Sequence, residues 1–441
     1  MQFISTRDSS NKVGFKKAIL DCMPKDGGLY VFDDTTDLRR WILYSDEKTS
    51  FASLAGALTS AMINDEFSPI ICETIASYAF PKDPVLKQID KNIFVLELFN
   101  AETGTFKDYG VSYLTNAIET ILKLDEEKSI LLDATTGELG ACMASAIRNK
   151  KLIKSVLLYP KGKVRGLQEG DFVWNGGNIY PIEVDGTIED CRNLIRKVFA
   201  NRELVEKYHL TLANTANIGR LLPQAFFYTF AFSRIKKIID GDIFYAVSAG
   251  NYGNLVSGLY GWKMCLPVNG FIVPSTPNLS LDIHGKCMVV DSFVPLEQRS
   301  PIDPSEPSNI ERFEHIFKAN SLMMKDFVFP ANVSEEQKNS ACKELYMKYK
   351  IYADSETSAS YAAAMQHKNL FDDYGALVLI SRDHPCLDSA FIKHNLGETP
   401  EIPQNVASAF APSQIGRKLL APNDIDSLIT VLNSLNLLRL F

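Results

Sequence analysis

The chain has 441 residues, 46% of them hydrophobic and 22% charged, with a formal net charge of −7. That length suits two or three packed globular units, and the acidic balance without any Lys/Arg run argues against a nucleic-acid footprint. Eight cysteines stand singly, without metal or redox spacing, and read as buried thiols of a reducing compartment. With no signal-peptide core and no apolar run of ~18 residues, the expectation is a cytoplasmic protein off the membrane, holding no metal.

Residues 1–88 read as a first unit. Asp8 to Asn11 can cap a helix through Ala18, Gly27 and Gly28 turn into a strand-like Leu29 to Phe32, and apolar-periodic stretches follow at Phe51 to Ile63 and Ile70 to Phe80. No chemistry is evident there, so this unit should pack against or cover the rest. From about residue 90, short apolar runs alternate with longer helical ones. Ile93 to Leu98, Ser129 to Leu132, Ser155 to Tyr159, Ile179 to Val184, Ile243 to Val247, Gly270 to Val273 and Ala376 to Ile380 read as strands. The class is α/β, in which ligands gather in the loops that follow strand C-termini. A last amphipathic helix, Asp424 to Leu438, is expected to pack on the larger domain.

The stretch FNAETGTFKDYG, Phe99 to Gly110, runs from a loop into a helix whose apolar positions begin at Tyr109, so Lys107 sits at the helix start with Asp108 in its first turn. A lysine fixed in this way can form a Schiff base with a carbonyl, pyridoxal phosphate being the commonest such cofactor, although a lone lysine is more often merely solvated. After the strand at 129–132, Thr135, Thr136 and Gly137 precede a helix whose first turn is open to an anion such as a carboxylate. After the strand at 243–247, Gly250, Asn251, Tyr252 and Gly253 let the backbone approach closely at another helix start, which suits a phosphate. A third segment carries Asn214, Thr215, Asn217 and Arg220 ahead of an apolar helix; polar side chains grouped there are in most cases ordinary caps, whereas a guanidinium in an opening turn calls for an anion.

The order FKD, TTGELG, LYPKGKVRGLQE, ANTANIGRL, AGNYGNL and DHP followed by LGETPEIP resembles the threonine synthases, a family of the fold-type-II pyridoxal-phosphate enzymes. The resemblance spans nearly the whole chain. It implies two open-sheet α/β domains of the tryptophan-synthase-β-like type plus the N-terminal unit, with residues 89–104 and 201–441 in the large domain and 105–200 in the small one. It further implies that Lys107 carries pyridoxal 5′-phosphate, that the loop at Gly250, Asn251, Tyr252 and Gly253 holds its phosphate, and that Thr135, Thr136 and Gly137 receive the substrate α-carboxylate. The implied substrate is O-phosphohomoserine, converted with water to threonine and phosphate. Candidate donors for the leaving phosphate are Lys161, Lys163, Arg165, Asn217 and Arg220, of which Arg220 is the best match to the family and Arg165 has no counterpart in its pattern. Nothing in the chain distinguishes a monomer from a dimer.

Departures from the family pattern are equally specific. HGPT becomes Asn100, Ala101, Glu102 and Thr103; SGDTG becomes Thr136, Gly137, Glu138, Leu139 and Gly140; SGNFGD becomes Ala249 to Asn254 with a serine lost; and in GTxHPAKF the threonine and lysine become Arg382 and Leu387. Ser381 or Arg382 is then the residue expected to face the pyridine nitrogen, and an arginine there would keep the ring unprotonated. Glu356 lies in a stretch similar to the family's SEPH element and reads either as an orienting group or as part of a solvated turn. These changes keep two other readings open: a related lyase or replacement enzyme for another amino acid, and a silent ligand-binding homologue.

Overall fold

An antiparallel pair opens the chain, β1 (Phe3–Ser5) against β2 (Tyr30–Phe32), with α1 (Phe15–Asp21) between them in sequence. This computed structural model describes residues 1–125, 129–318, 321–371, 374–415 and 419–437. The first helix starts later than the expected cap at Asp8–Asn11: Gly14 is its N-cap, and the remote Glu66 carboxylate accepts from the amides of Phe15 (2.5 Å) and Lys16 (2.9 Å). A carboxylate on another element thus satisfies the orphan amides, and local spacing cannot reveal such a partner. Three more helices, α2 (Arg39–Tyr44), α3 (Phe51–Ile63) and α4 (Pro69–Ala79), complete the N-terminal unit.

β3 (Val85–Gln88) runs antiparallel to β4 (Ile93–Glu97), after which α5 (Lys107–Leu124) begins at the lysine singled out above. Then come β5 (Ile130–Ala134), α6 (Glu138–Ile147), β6 (Lys154–Pro160), β7 (Ile179–Val184), α7 (Ile188–Ala200), α8 (Arg202–Tyr208) and β8 (Leu210–Thr211). Their strands form a parallel sheet in the order β7-β6-β5-β8. Its edge strand β8 lies past residue 200, so this sheet runs beyond the boundary that the sequence suggested.

α9 (Ile218–Leu221) and α10 (Ala225–Ile235) lead to β9 (Ile243–Ala246), α11 (Gly253–Lys263) and β10 (Gly270–Pro274). A hairpin of β11 (Leu279–Leu281) and β12 (Cys287–Val289) precedes β13 (Val328–Ala331) and β14 (Ala376–Ser381). The second sheet has the order β13-β10-β9-β14-β4-β3, parallel except at β3. Its central strands are buried on both faces, which is why they read as continuous apolar runs.

α5 is the spine of the molecule. Tyr109, Val111, Tyr113, Leu114, Ala117, Ile118 and Ile121 are all buried, so the helix is enclosed nearly all round. Phe51 of α3 brings the N-terminal unit onto it, with ring centroids 5.5 Å from Tyr109 and 5.6 Å from Phe227 of α10. The expectation for the last helix needs correcting. The helix Ile425–Leu437 buries Leu428, Leu432 and Leu435 with Leu194, Ile195, Val198 and Val205 of α7 and α8, and so packs on the four-stranded sheet's helices; Leu438 lies outside the described residues. An apolar stripe says that a helix is buried but not which sheet buries it. No described helix is long and apolar enough to cross a membrane, and the described residues hold no cluster of His, Cys, Asp or Glu that could bind a metal.

Candidate active site

Lys107 is placed by a short backbone zipper. Phe106 N donates to Arg382 O (2.8 Å), Thr105 bridges Asp383, and His384 N donates to Gly104 O (2.7 Å), which fastens the loop before α5 to the end of β14. Gly104 must be glycine, since its φ is +72° and a Cβ would stand 2.6 Å from Val406. Asp108, buried in the first turn, accepts from Thr103 N (2.8 Å) and Thr103 Oγ1 (2.9 Å), and burial lifts its pKa. Its carboxyl thus braces the loop behind Lys107.

The Lys107 ammonium forms an ion pair with Glu138, the first residue of α6. Burial alone would depress the lysine, but the Asp383 and Glu138 carboxylates reverse that, leaving its pKa above the ordinary value. Thr135 holds the intervening loop, its hydroxyl accepting from the amides of Gly137 (3.0 Å) and Gly140 (3.2 Å), while Thr136 is exposed and Gly137 has φ +135°. The expected carboxylate loop therefore lies opposite Lys107.

Two guanidiniums flank Phe106, the residue before Lys107: Cζ of Arg220 is 5.8 Å and Cζ of Arg382 is 5.1 Å from its ring centroid. Arg220 is 3% exposed, yet its Nε and Nη1 have no hydrogen-bond partner, and burial pulls its pKa down to about 10. Arg312 shows what a buried structural arginine looks like in the same molecule. It donates to Tyr30 O (2.9 Å), Thr215 O (2.5 Å), Asn309 Oδ1 (2.7 Å) and Ala216 O (2.8 Å), holding the segment before α9 against β2. A buried donor without a partner costs about 1–3 kcal/mol, more if charged, and among the described residues no hydrogen-bond acceptor offsets that cost at Nε and Nη1 of Arg220.

The loop after β9 is shaped by its backbone. Gly250 has φ +46° and Tyr252 has φ +65°, a left-handed turn that aims the start of α11 back at the loop. Asn251 ties it down by donating to Thr215 Oγ1 (2.8 Å) and Pro307 O (3.1 Å), and its Oδ1 accepts from Gly253 N (3.2 Å); the Tyr252 hydroxyl meets Thr276 Oγ1 at 2.7 Å. Ser248, just before this turn, has a buried hydroxyl with no partner. An orphan hydroxyl, a glycine turn and a helix N-terminus together fit a phosphate group.

Several expected positions do not converge. Asn217 caps α9, accepting from Gly219 N (3.0 Å), and its amide donates to Ile19 O (2.8 Å), Thr211 Oγ1 (3.2 Å) and Leu212 O (3.1 Å). Both hydrogens of that amide are engaged within the chain, and Asn217 serves here as the cap of α9. Lys161 pairs with Asp185 (3.3 Å) and Lys163 is exposed, whereas the Arg165 side chain lies against Gly137 and donates to Phe410 O (3.3 Å). Ser381 is buried with its hydroxyl 3.3 Å from Thr357 Oγ1, and the His384 ring accepts from Cys386 N (3.2 Å) as a structural cap. Sequence reading missed Ser248 and Asp383 as members of the group. The only signal for either was position, just ahead of a glycine turn for Ser248 and two residues past the end of β14 for Asp383.

Residues 2–80 match the family model described as threonine synthase N terminus. The chain is 27% identical over 411 residues to threonine synthase of Escherichia coli (strain K12), covering 92% of this chain and 94% of that one. It is 31% identical over 375 residues to threonine synthase of Buchnera aphidicola subsp. Schizaphis graminum, covering 84% and 86%. The crystal structure of threonine synthase from Escherichia coli superposes with a TM-score of 0.76 at 25% identity, covering 98% of this chain and all (100%) of that one. The PLP-bound threonine synthase from Brucella melitensis shares the fold, with a TM-score of 0.79 at 19% identity and 98% of each chain covered. On this likeness over most of its length, the chain belongs to the threonine synthase family.

Proposed function

We propose that the chain is a pyridoxal-phosphate-dependent threonine synthase, a lyase that converts O-phosphohomoserine and water to threonine and phosphate at the group around Lys107. The observation that carries the placement is Arg220, a fully enclosed guanidinium with unpartnered donors beside Phe106 and Lys107. Bound pyridoxal phosphate supplies an electron sink for carbanions next to the substrate nitrogen.

The chain's own residues do the rest. Lys107 anchors the cofactor and moves protons, and Glu138 and Asp383 set its charge. Ser248, Gly250 and Gly253 would cradle the cofactor phosphate, Asn251 and Tyr252 hold that turn in shape, and Ser381 would border the ring. Thr135, Thr136 and Gly137 orient the substrate carboxylate, while Arg220 stabilises charge developing on the leaving phosphate. Lys161 and Lys163 stand farther out, where they attract an anionic substrate. The two sheets flank this group, and closure of one on the other would control when water enters. We place the protein in the cytoplasm, in keeping with eight free cysteines.

The test is the visible absorption spectrum of the purified protein beside Lys107→Ala, followed by O-phosphohomoserine with phosphate and threonine measured. A band that depends on Lys107, with equal phosphate and threonine, is the expected result. Keto-acid production without threonine would point to another lyase, and no band with added cofactor would overturn the reading.

A further inference from the structure

Arg382 is a charged group beside this site to which the proposed reaction assigns no step. Its Nη1 lies 3.3 Å from where a Cβ on Gly250 would stand, so the guanidinium borders the glycine turn itself. Its Nε is buried without a partner, and its one ion pair is a 3.6 Å contact with Glu356, whose side chain is half exposed. Such a pair is worth at most about 1 kcal/mol, whereas an unmade buried donor costs about 1–3 kcal/mol, so Glu356 does not explain the inward position. The partnerless Ser248 hydroxyl belongs to the same turn.

Resting on the reading above, we infer that Arg382 and Ser248 complete the Gly250 cradle for a phosphomonoester dianion, the cofactor's own phosphate, so that Arg382 selects the phosphorylated ring over its dephosphorylated form. The role differs from the one the sequence suggested for this position, beside the ring nitrogen. A guanidinium offers a fork of N–H donors to phosphate oxygens, which a threonine or lysine at the same place would not.

The experiment uses cofactor-free full-length protein, wild type beside Arg382→Met and Arg382→Lys, titrated with pyridoxal 5′-phosphate and with unphosphorylated pyridoxal. Binding is read from the Lys107-dependent absorption band, and inorganic phosphate is titrated calorimetrically in parallel. We expect Arg382→Met to weaken pyridoxal 5′-phosphate and inorganic phosphate by about ten- to a hundred-fold while leaving pyridoxal within about two-fold, with partial recovery in Arg382→Lys. An equal loss for both ring compounds would put Arg382 at the ring and overturn the inference. So would unchanged cofactor binding with a raised KM for O-phosphohomoserine, which would assign it to the substrate. If the wild type shows no band with either compound the enzyme reading fails, and the phosphate titration still decides whether Arg382 binds the anion.

Discussion

The Lys107 ammonium is paired with the Glu138 carboxylate, so the first residues of α5 and α6 face one another across the site. A lysine must lose its proton to attack a carbonyl, and Glu138, with Asp383, holds that proton on. Glu138→Gln should therefore lower the Lys107 pKa and move the pH profile of cofactor attachment to lower pH. Stopped-flow measurement of the visible band from pH 6 to 10 checks this; an unmoved profile would mean that Asp383 alone sets the lysine.

Arg220 pairs high functional value with poor local stability. Replacing it by methionine removes a desolvated charge with unpartnered donors, so the melting temperature of Arg220→Met should hold or rise. The kcat/KM for O-phosphohomoserine should fall by about 10²-fold or more. A variant that melts earlier and keeps its activity would show Arg220 to be structural.

Gly110 lies one turn into α5, where a helix would ordinarily gain from alanine. Here an added Cβ would overlap Arg220 Nη1 and approach Arg220 O to 2.5 Å. Gly110→Ala should cost about 1–3 kcal/mol in a urea titration and lower phosphate release by displacing the guanidinium. Stabilisation would mean that the two backbones can separate freely.

The segment 404–413 straps the two loops that border the site. Asn405 donates to Ala101 O and Glu102 O, both at 3.0 Å, while Gly166 N donates to Ala411 O (2.9 Å) and Leu167 N to Ser413 Oγ (3.0 Å). Asn405→Ala should cost about 1–2 kcal/mol and open this stretch to limited proteolysis, read by mass spectrometry of the fragments. Unchanged cleavage kinetics would show that the Gly166 and Leu167 contacts suffice.

Burial pushes the Asp133 carboxyl up to about 7, well above the ~4 of an unfolded aspartate. The native state therefore keeps an extra proton between those values, and this group's contribution is most favourable below the window and is lost as pH rises through it. Asp133→Asn, which cannot ionise but can still accept from Ala213 N, should lose less stability between pH 4 and 7 than the wild type. Parallel stability curves would place the titrating proton elsewhere.

Periodicity and turn chemistry were enough to find the α/β alternation, the strand at 179–184 residue for residue, and the start of α5 at Lys107, because each depends on neighbours within a few positions. The same local information marked the glycine turn at 250–253 and the arginine at 220. Tertiary structure alone decided that Asn217 spends its amide on Ile19, Thr211 and Leu212, and that Glu66 caps a helix 50 residues away. It also decided that the last helix joins α7 and α8, and that Arg382 borders Gly250. Such outcomes depend on which distant groups compete for a given donor, carboxylate or apolar stripe, and a residue's type states what it can bind without naming the partner it meets.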